Sequence, residues 1–154
     1  MIKVFTSRIT YEGLIIEGEE HAEIFDIDNE RGITPSSALK YNLKITTVAG
    51  GYLATGSAEA TFELICDKCL AHFKQSLRTS DICHLYESYH GSELDLTEDI
   101  REDILILLPH RFLCSKSCKG ICFKCGKNLN TKKCSCHDTE KSDSIWNELN
   151  KLKV

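Results

Sequence analysis

The chain has 154 residues, 42% of them apolar, and a formal net charge of −4. That is enough for one modest core with a small appendage, and it excludes a uniformly basic nucleic-acid binder. No apolar run approaches the ~20 residues of a membrane-spanning helix, and the N-terminus shows neither the apolar core nor the cleavage site of an export signal. The expectation is a cytoplasmic protein with no membrane partner, whose nine cysteines meet a reducing environment. Structural disulfides are rare there.

Charge is unevenly placed. Glu12, Glu17, Glu19, Glu20, Glu23, Asp26, Asp28 and Glu30 follow one another without an intervening Lys or Arg. A second acidic block, from Glu93 to Asp103, is broken only by Arg101. Between Cys114 and Cys136 the sign reverses, with Lys116, Lys119, Lys124, Lys127, Lys132 and Lys133 and no acid. The chain is electrically bipolar.

In chain order, Ile2–Phe5 and Leu14–Ile16 read as short strands, and the acids from Glu17 to Glu30 as a loop or solvated face. Leu39, Tyr41, Leu43, Ile45 and Thr47 alternate with polar residues, the period of a half-buried strand. Gly50-Gly51 predicts a tight hairpin turn. Tyr52, Ala54, Gly56, Ala58, Ala60, Phe62 and Leu64 then mark a long strand that runs into Cys66-Asp67-Lys68-Cys69. Phe73, Gln75, Leu77 and Thr79, continued by Ile82, His84 and Tyr86, predict the return strand.

A helix over 96–108 follows from Leu96, Ile100, Ile104, Leu107 and Leu108, which share one helical face. Asp95 and Glu98 are placed to cap it, and Pro109 stops it. Ile145, Leu149 and Leu152, with Trp146 beside them, predict a short C-terminal helix that packs back. The expected fold is α+β: an antiparallel sheet or partly open barrel with one acidic amphipathic helix over 1–109, a Cys-rich knuckle over 110–140 and a final helix over 141–154.

The thiols carry the chemistry. Cys122-Phe123-Lys124-Cys125-Gly126 has zinc-knuckle spacing, because two thiolates separated by two residues can bind one ion from a tight turn. The following Gly can take the positive dihedral that aims amide N–H groups at the sulfurs. Cys134 and Cys136 offer a second pair, with His137 as a substitute ligand, and a closed structural zinc site results. Cys114 and Cys118 remain, as do Cys66 and Cys69. These four either meet in a second zinc site that ties the hairpin to the tail, or a single ion is shared among the tail thiols; Cys83 is left over. Cys118-x3-Cys122-x2-Cys125 is also an iron–sulfur spacing of radical enzymes, but the repeated strand–helix pattern of their barrel is missing.

No enzyme is expected. A four-thiolate site has no open position for water or substrate. His21, His72, His84, His90 and His110 are scattered without a partner motif, no Gly-rich phosphate loop exists, and nothing marks a small-molecule substrate.

The tail, from Pro109 through Cys114, Cys118-Lys-Gly-Ile-Cys122, Cys125-Gly-Lys-Asn128-Leu129-Asn130 and Cys134-Ser-Cys136, resembles the YceD-type family, the large ribosomal RNA subunit accumulation proteins, in its cysteine-rich branch. Cys66-Asp-Lys-Cys69-Leu70, after a strand containing Gly56, is similar to that family's second signature, with Lys68 for the usual Arg and Phe123 for the usual Pro. The resemblance starts near residue 40. It implies a bacterial or plastid factor that supports large-subunit ribosomal RNA accumulation, with ribosomal RNA, a pre-ribosomal particle or an assembly protein as partner. Because some relatives lack the cysteine-rich tail, it also implies that the metal serves stability or a lineage-specific contact. Lys116, Lys119, Lys124, Lys127, Lys132 and Lys133 are the candidate RNA contacts. Against one thiolate-bound zinc they leave the knuckle near +4, or near +2 if a second site is completed there. A zinc-ribbon adaptor for a protein partner, in transcription for example, and a thiol or iron–sulfur redox protein are the competing classes.

Overall fold

The computed structural model describes residues 1–27, 32–87 and 89–136. The expected C-terminal helix with Trp146, and His137 as a ligand, lie outside the described residues. Among the described residues the strands are β1 (Lys3–Phe5), β2 (Leu14–Glu20), β3 (Ile33–Pro35), β4 (Leu39–Val48), β5 (Gly51–Ile65), β6 (His72–Glu87) and β7 (Glu93–Asp95), followed by an α-helix, α1 (Thr97–Leu105). Among the described residues no helix is long and apolar enough to cross a membrane.

All pairings are antiparallel. β1 pairs with β7 in a small two-stranded sheet, and β2, β4, β5 and β6 pair in succession in the larger one. β3 shares the β4 edge of β5, facing Phe62, Glu63 and Leu64. The break between β3 and β4 is closed locally: the Ser36 and Ser37 amides donate to Thr61 O at 2.8 and 3.2 Å, and the Ser37 hydroxyl accepts the Thr61 N–H at 2.8 Å. Among the described residues no pairing joins β2 to β6, so the sheet is open and does not close into a barrel.

The period-2 patterns of β4 and β5 put Leu39, Leu43, Ile45, Ala54, Ala58, Ala60, Phe62 and Leu64 on one buried face. On β6 the pattern changes phase, from odd positions up to Thr79 to even positions from Ile82. A bulge causes this. Gly56 pairs with Ile82 and Ala58 with Thr79, so Ser80 and Asp81 both sit opposite Ser57. Leu77 and Ile82 thereby stay buried on the same face. Ile100 and Ile104 of α1, with Ile2, Val4, Leu94 and Leu96, complete the core.

Two expectations need correction. Of the two alternatives for the acidic N-terminal stretch, the solvated face holds for Glu17, Glu19 and Glu23, which are exposed, but the loop does not: β2 runs to Glu20, and a 3-10 turn at Ala22–Phe25 buries Phe25 fully. Its ring meets Phe62 edge-on at 4.9 Å, and Arg101 Nε donates to its carbonyl at 3.1 Å. The helix is also shorter than 96–108. Leu96 is the N-cap, Asp95 accepts the Thr97 N–H at 3.0 Å, and Glu98 pairs with Arg101 at 2.7 Å instead of closing a capping box. At the other end Leu107 and Leu108 donate three residues back, to Ile104 and Leu105, which tightens the chain out of the α-helix before Pro109.

Gly56 is, with Gly51, one of the two tightest points of β5. Its φ is +155°, and a Cβ there would lie 2.1 Å from the Asn42 carbonyl oxygen of β4. Gly56→Ala is therefore expected to destabilise the fold by at least about 2 kcal/mol, read as a lower urea midpoint with the far-UV spectrum of the folded chain retained.

Candidate metal centres

The β5–β6 hairpin tip holds Cys66 and Cys69, and the segment after α1 brings Cys114 and Cys118 against them. The sulfurs of these four lie within 4.8 Å of one another. Cys66 Sγ is 3.8 Å from Cys118 Sγ, and Cys69 Sγ is 3.6 Å from Cys114 Sγ. Cys122, Cys125, Cys134 and Cys136 form a second group of the same kind. Here Cys134 Sγ is 3.5 Å from Cys125 Sγ and 3.4 Å from Cys122 Sγ. Disulfide sulfurs would be ~2.05 Å apart. Four sulfurs at ~2.3 Å from one tetrahedral ion stand about 3.8 Å apart. Both groups fit a single ion bound by four thiolates, so each could hold a metal.

Of the two arrangements the sequence leaves open, the structure adopts the one in which hairpin and tail share four cysteines. It also divides the iron–sulfur spacing: Cys118 joins the first group, Cys122 and Cys125 the second. Cys83 belongs to neither and is exposed on β6.

The two Cys-x-x-Cys turns are congruent. The Cys66 amide donates to Ala71 O at 2.9 Å and the Leu70 amide to Cys66 O at 2.9 Å; the Cys122 amide donates to Lys127 O at 2.8 Å and the Gly126 amide to Cys122 O at 2.8 Å. Both turns end on a left-handed residue, Leu70 at φ 58° and Gly126 at φ 68°. Gly126 takes this conformation without a Cβ penalty. Leu70 adopts it despite its side chain, because the hairpin ladder and the paired thiols fix the turn.

Residues outside the cysteine pattern lock the junction. Asp67 accepts the Phe112 N–H on Oδ2 at 2.7 Å, while its own amide donates to Phe112 O at 2.8 Å. The Ile121 amide donates to Lys68 O at 3.0 Å. Asn130, in the loop that closes the second group, reaches across to the first. Its Nδ2 donates to Cys118 Sγ at 3.3 Å, and its Oδ1 accepts the Lys119 N–H at 2.8 Å. Cysteine counting could not reveal Asp67 or Asn130; their one signal is a side chain able to both accept and hold position inside the motif.

The thiols differ in acidity. Burial pushes Cys66 up, but amide donors from Cys114, Cys69 and Lys68 outweigh it and bring its pKa down to about 6. The Cys125 and Lys124 amides bring Cys122 down to about 7, and the Asn130 amide group lowers Cys118. Sharing protons with Cys69 pushes Cys114 up to about 12. Cys134 also rises to about 12: the Cys136 amide lowers it, but hydrogen bonding to Cys122 and its neighbours prevails. Each group thus contains a thiolate that forms readily and a thiol that gives up its proton only to a cation. Lys116, Lys119, Lys124, Lys127, Lys132 and Lys133 are all exposed. The first group is mostly buried, whereas Cys125 and Cys136 of the second are exposed.

Fold and site together define a class: an open antiparallel sheet whose hairpin tip shares one four-cysteine group with the segment after α1, which carries a second such group of its own. The sequence model of the family described as large ribosomal RNA subunit accumulation protein YceD matches residues 83–153. That part of the chain is similar to the YceD family. The match covers Cys114 through Cys136 but not Cys66 and Cys69. Two curated relatives are similar. The chloroplastic "Large ribosomal RNA subunit accumulation protein YCED homolog 1" of Arabidopsis thaliana is 38% identical over 61 residues, 40% of this chain and 19% of that protein. The protein of the same name from Zea mays is 40% identical over 45 residues, 29% of this chain and 15% of that protein. The chain thus spans less than a fifth of the relatives it matches. No solved structure matches it.

Because metal uptake must displace protons from Cys114 and Cys134, affinity rises with pH. Lowering the pH from about 8 to about 5 is expected to release bound metal, detected with a chromogenic chelator. Asn130→Ala is expected to weaken metal retention at the first centre about tenfold in chelator competition, although Asn130 is not a ligand.

Proposed function

We propose that this chain is a non-enzymatic factor supporting accumulation of large-subunit ribosomal RNA during ribosome assembly, built around two structural zinc ions. The observation that carries this reading is the YceD match over residues 83–153, which contains the cysteine-rich tail. The printed names of both relatives refer to the large ribosomal RNA subunit. The proposed partner is ribosomal RNA or a pre-ribosomal particle, in the cytoplasm or its plastid counterpart, where thiols stay reduced.

Zinc is the ion this donor set favours: it accepts four thiolates in a tetrahedron and has no redox chemistry to lose. The short sulfur separations suit one ion better than an iron–sulfur cluster, whose thiolates are held apart by the irons and sulfides between them. Four thiolates saturate the ion, so the centres are assigned structural work.

The lysines supply the working surface. Six of them, set against two centres of formal charge −2 each, leave the knuckle at about +2. Such a patch holds phosphates by counterion release. The protein-adaptor alternative, docking through the acidic helix, has less support because part of that face is already occupied. Asp103 pairs with His84 Nε2 at 2.7 Å, and Asp99 accepts the Tyr86 hydroxyl.

Replacing Lys124, Lys127, Lys132 and Lys133 together by Glu is expected to weaken co-sedimentation with pre-ribosomal particles at least tenfold, with metal content unchanged. Undiminished co-sedimentation would refute the lysine surface.

A further inference from the structure

The two congruent knuckles differ at their second residue. In the first that residue is Asp67, whose carboxylate anchors the Phe112 amide at 2.7 Å. In the second it is Phe123, which is 82% exposed and belongs to neither buried apolar cluster. A phenyl ring displayed in this way contributes nothing to the core. The backbone that carries it is nevertheless fixed, because the turn is closed by the Gly126 amide on Cys122 O and the Cys122 amide on Lys127 O, each at 2.8 Å. The ammonium of Lys124 lies 5.9 Å from the ring centroid.

We propose that Phe123 is a stacking platform for an unpaired base of single-stranded RNA, and that the surrounding lysines hold the phosphates on either side of it. The inference rests on the RNA reading above and names the form of RNA that this site takes. Three features support it. From Cys114 to Cys136 the chain carries six lysines and no acid, so the surface around the ring favours a polyanion. Lysine is depleted in protein–protein interfaces, which argues against a protein hot spot here. A base offers a π face to an exposed ring only when it is not stacked within a duplex; a duplex would meet the lysines and leave the ring in water. Stacking tolerates any base, so the platform selects strandedness and not sequence.

The test uses the full zinc-loaded chain and a fluorescein-labelled RNA oligonucleotide of mixed sequence, free and annealed to its complement. Anisotropy is recorded over a range of salt. Phe123→Ala and Phe123→Leu are each expected to weaken single-strand binding about tenfold, with duplex binding, metal content and the salt slope as in the parent chain. Phe123→Trp is expected to restore binding and to show fluorescence quenching beyond that of the parent. Lys127→Glu with Lys132→Glu and Lys133→Glu should weaken both RNAs and flatten the salt slope. If Phe123→Leu binds the single strand within twofold of the parent, or Phe123→Ala loses duplex binding equally, the platform is refuted while the lysine surface stands. If the lysine variant also binds as the parent does, the RNA-contact reading fails with it.

Discussion

The structure depends on one junction: the four sulfurs at which the β5–β6 hairpin tip meets the chain after α1. The sheet has its own core of Leu, Ile, Ala and Phe side chains. Among the described residues, the segment beyond Phe112 has no such core: around Cys66, Cys69 and Cys118 the apolar support is Ala71, Phe73 and Leu113. That little surface stands against the entropy of ordering the described residues beyond Phe112, each costing about 1–2 kcal/mol in backbone freedom alone. A four-thiolate ion, which these cysteines could hold, would add stabilisation in the way small metal-bound domains are held, and the Asp67 and Lys68 backbone contacts set the direction in which the tail leaves the sheet.

The two groups differ in setting. In the first, Cys66, Cys69 and Cys118 are buried beneath the hairpin tip. The second lies in the surface, with Cys125 and Cys136 open to solvent, and it shapes the turn on which Phe123 and the lysines stand. Asn130 joins the two, since the loop that closes the outer centre also donates to a sulfur of the inner one. Ordering at one centre is therefore felt at the other, and the display of the basic surface depends on both.

Much of this was legible in the sequence. The alternation through β4 and β5, the Gly-Gly turn, the hairpin bearing Cys66 and Cys69, and the core face of α1 follow directly from apolar spacing. The change of phase between Thr79 and Ile82 was legible as well, though only the pairing shows it to be a bulge. Phe25 was hidden because one buried aromatic among acids has no period. β3 and β7, each three residues long, are too short to show alternation, and their pairing is decided by tertiary contact. The partner of Cys66 and Cys69 could not be fixed from spacing, since the ligands lie 45 and 52 residues apart and only the fold brings them together. Asp67 and Asn130 act through hydrogen bonds to residues distant in sequence, which apolar spacing and cysteine spacing do not encode.

The most direct measurement is native mass spectrometry of the intact chain beside a Cys66→Ser/Cys69→Ser variant, with limited proteolysis of both. The expected result is two zinc ions per parent chain and one in the variant, whose segment after Phe112 becomes sensitive to cleavage while the sheet survives. A parent chain carrying one ion, or a variant that keeps both and resists cleavage, would contradict a metal clamp between sheet and tail.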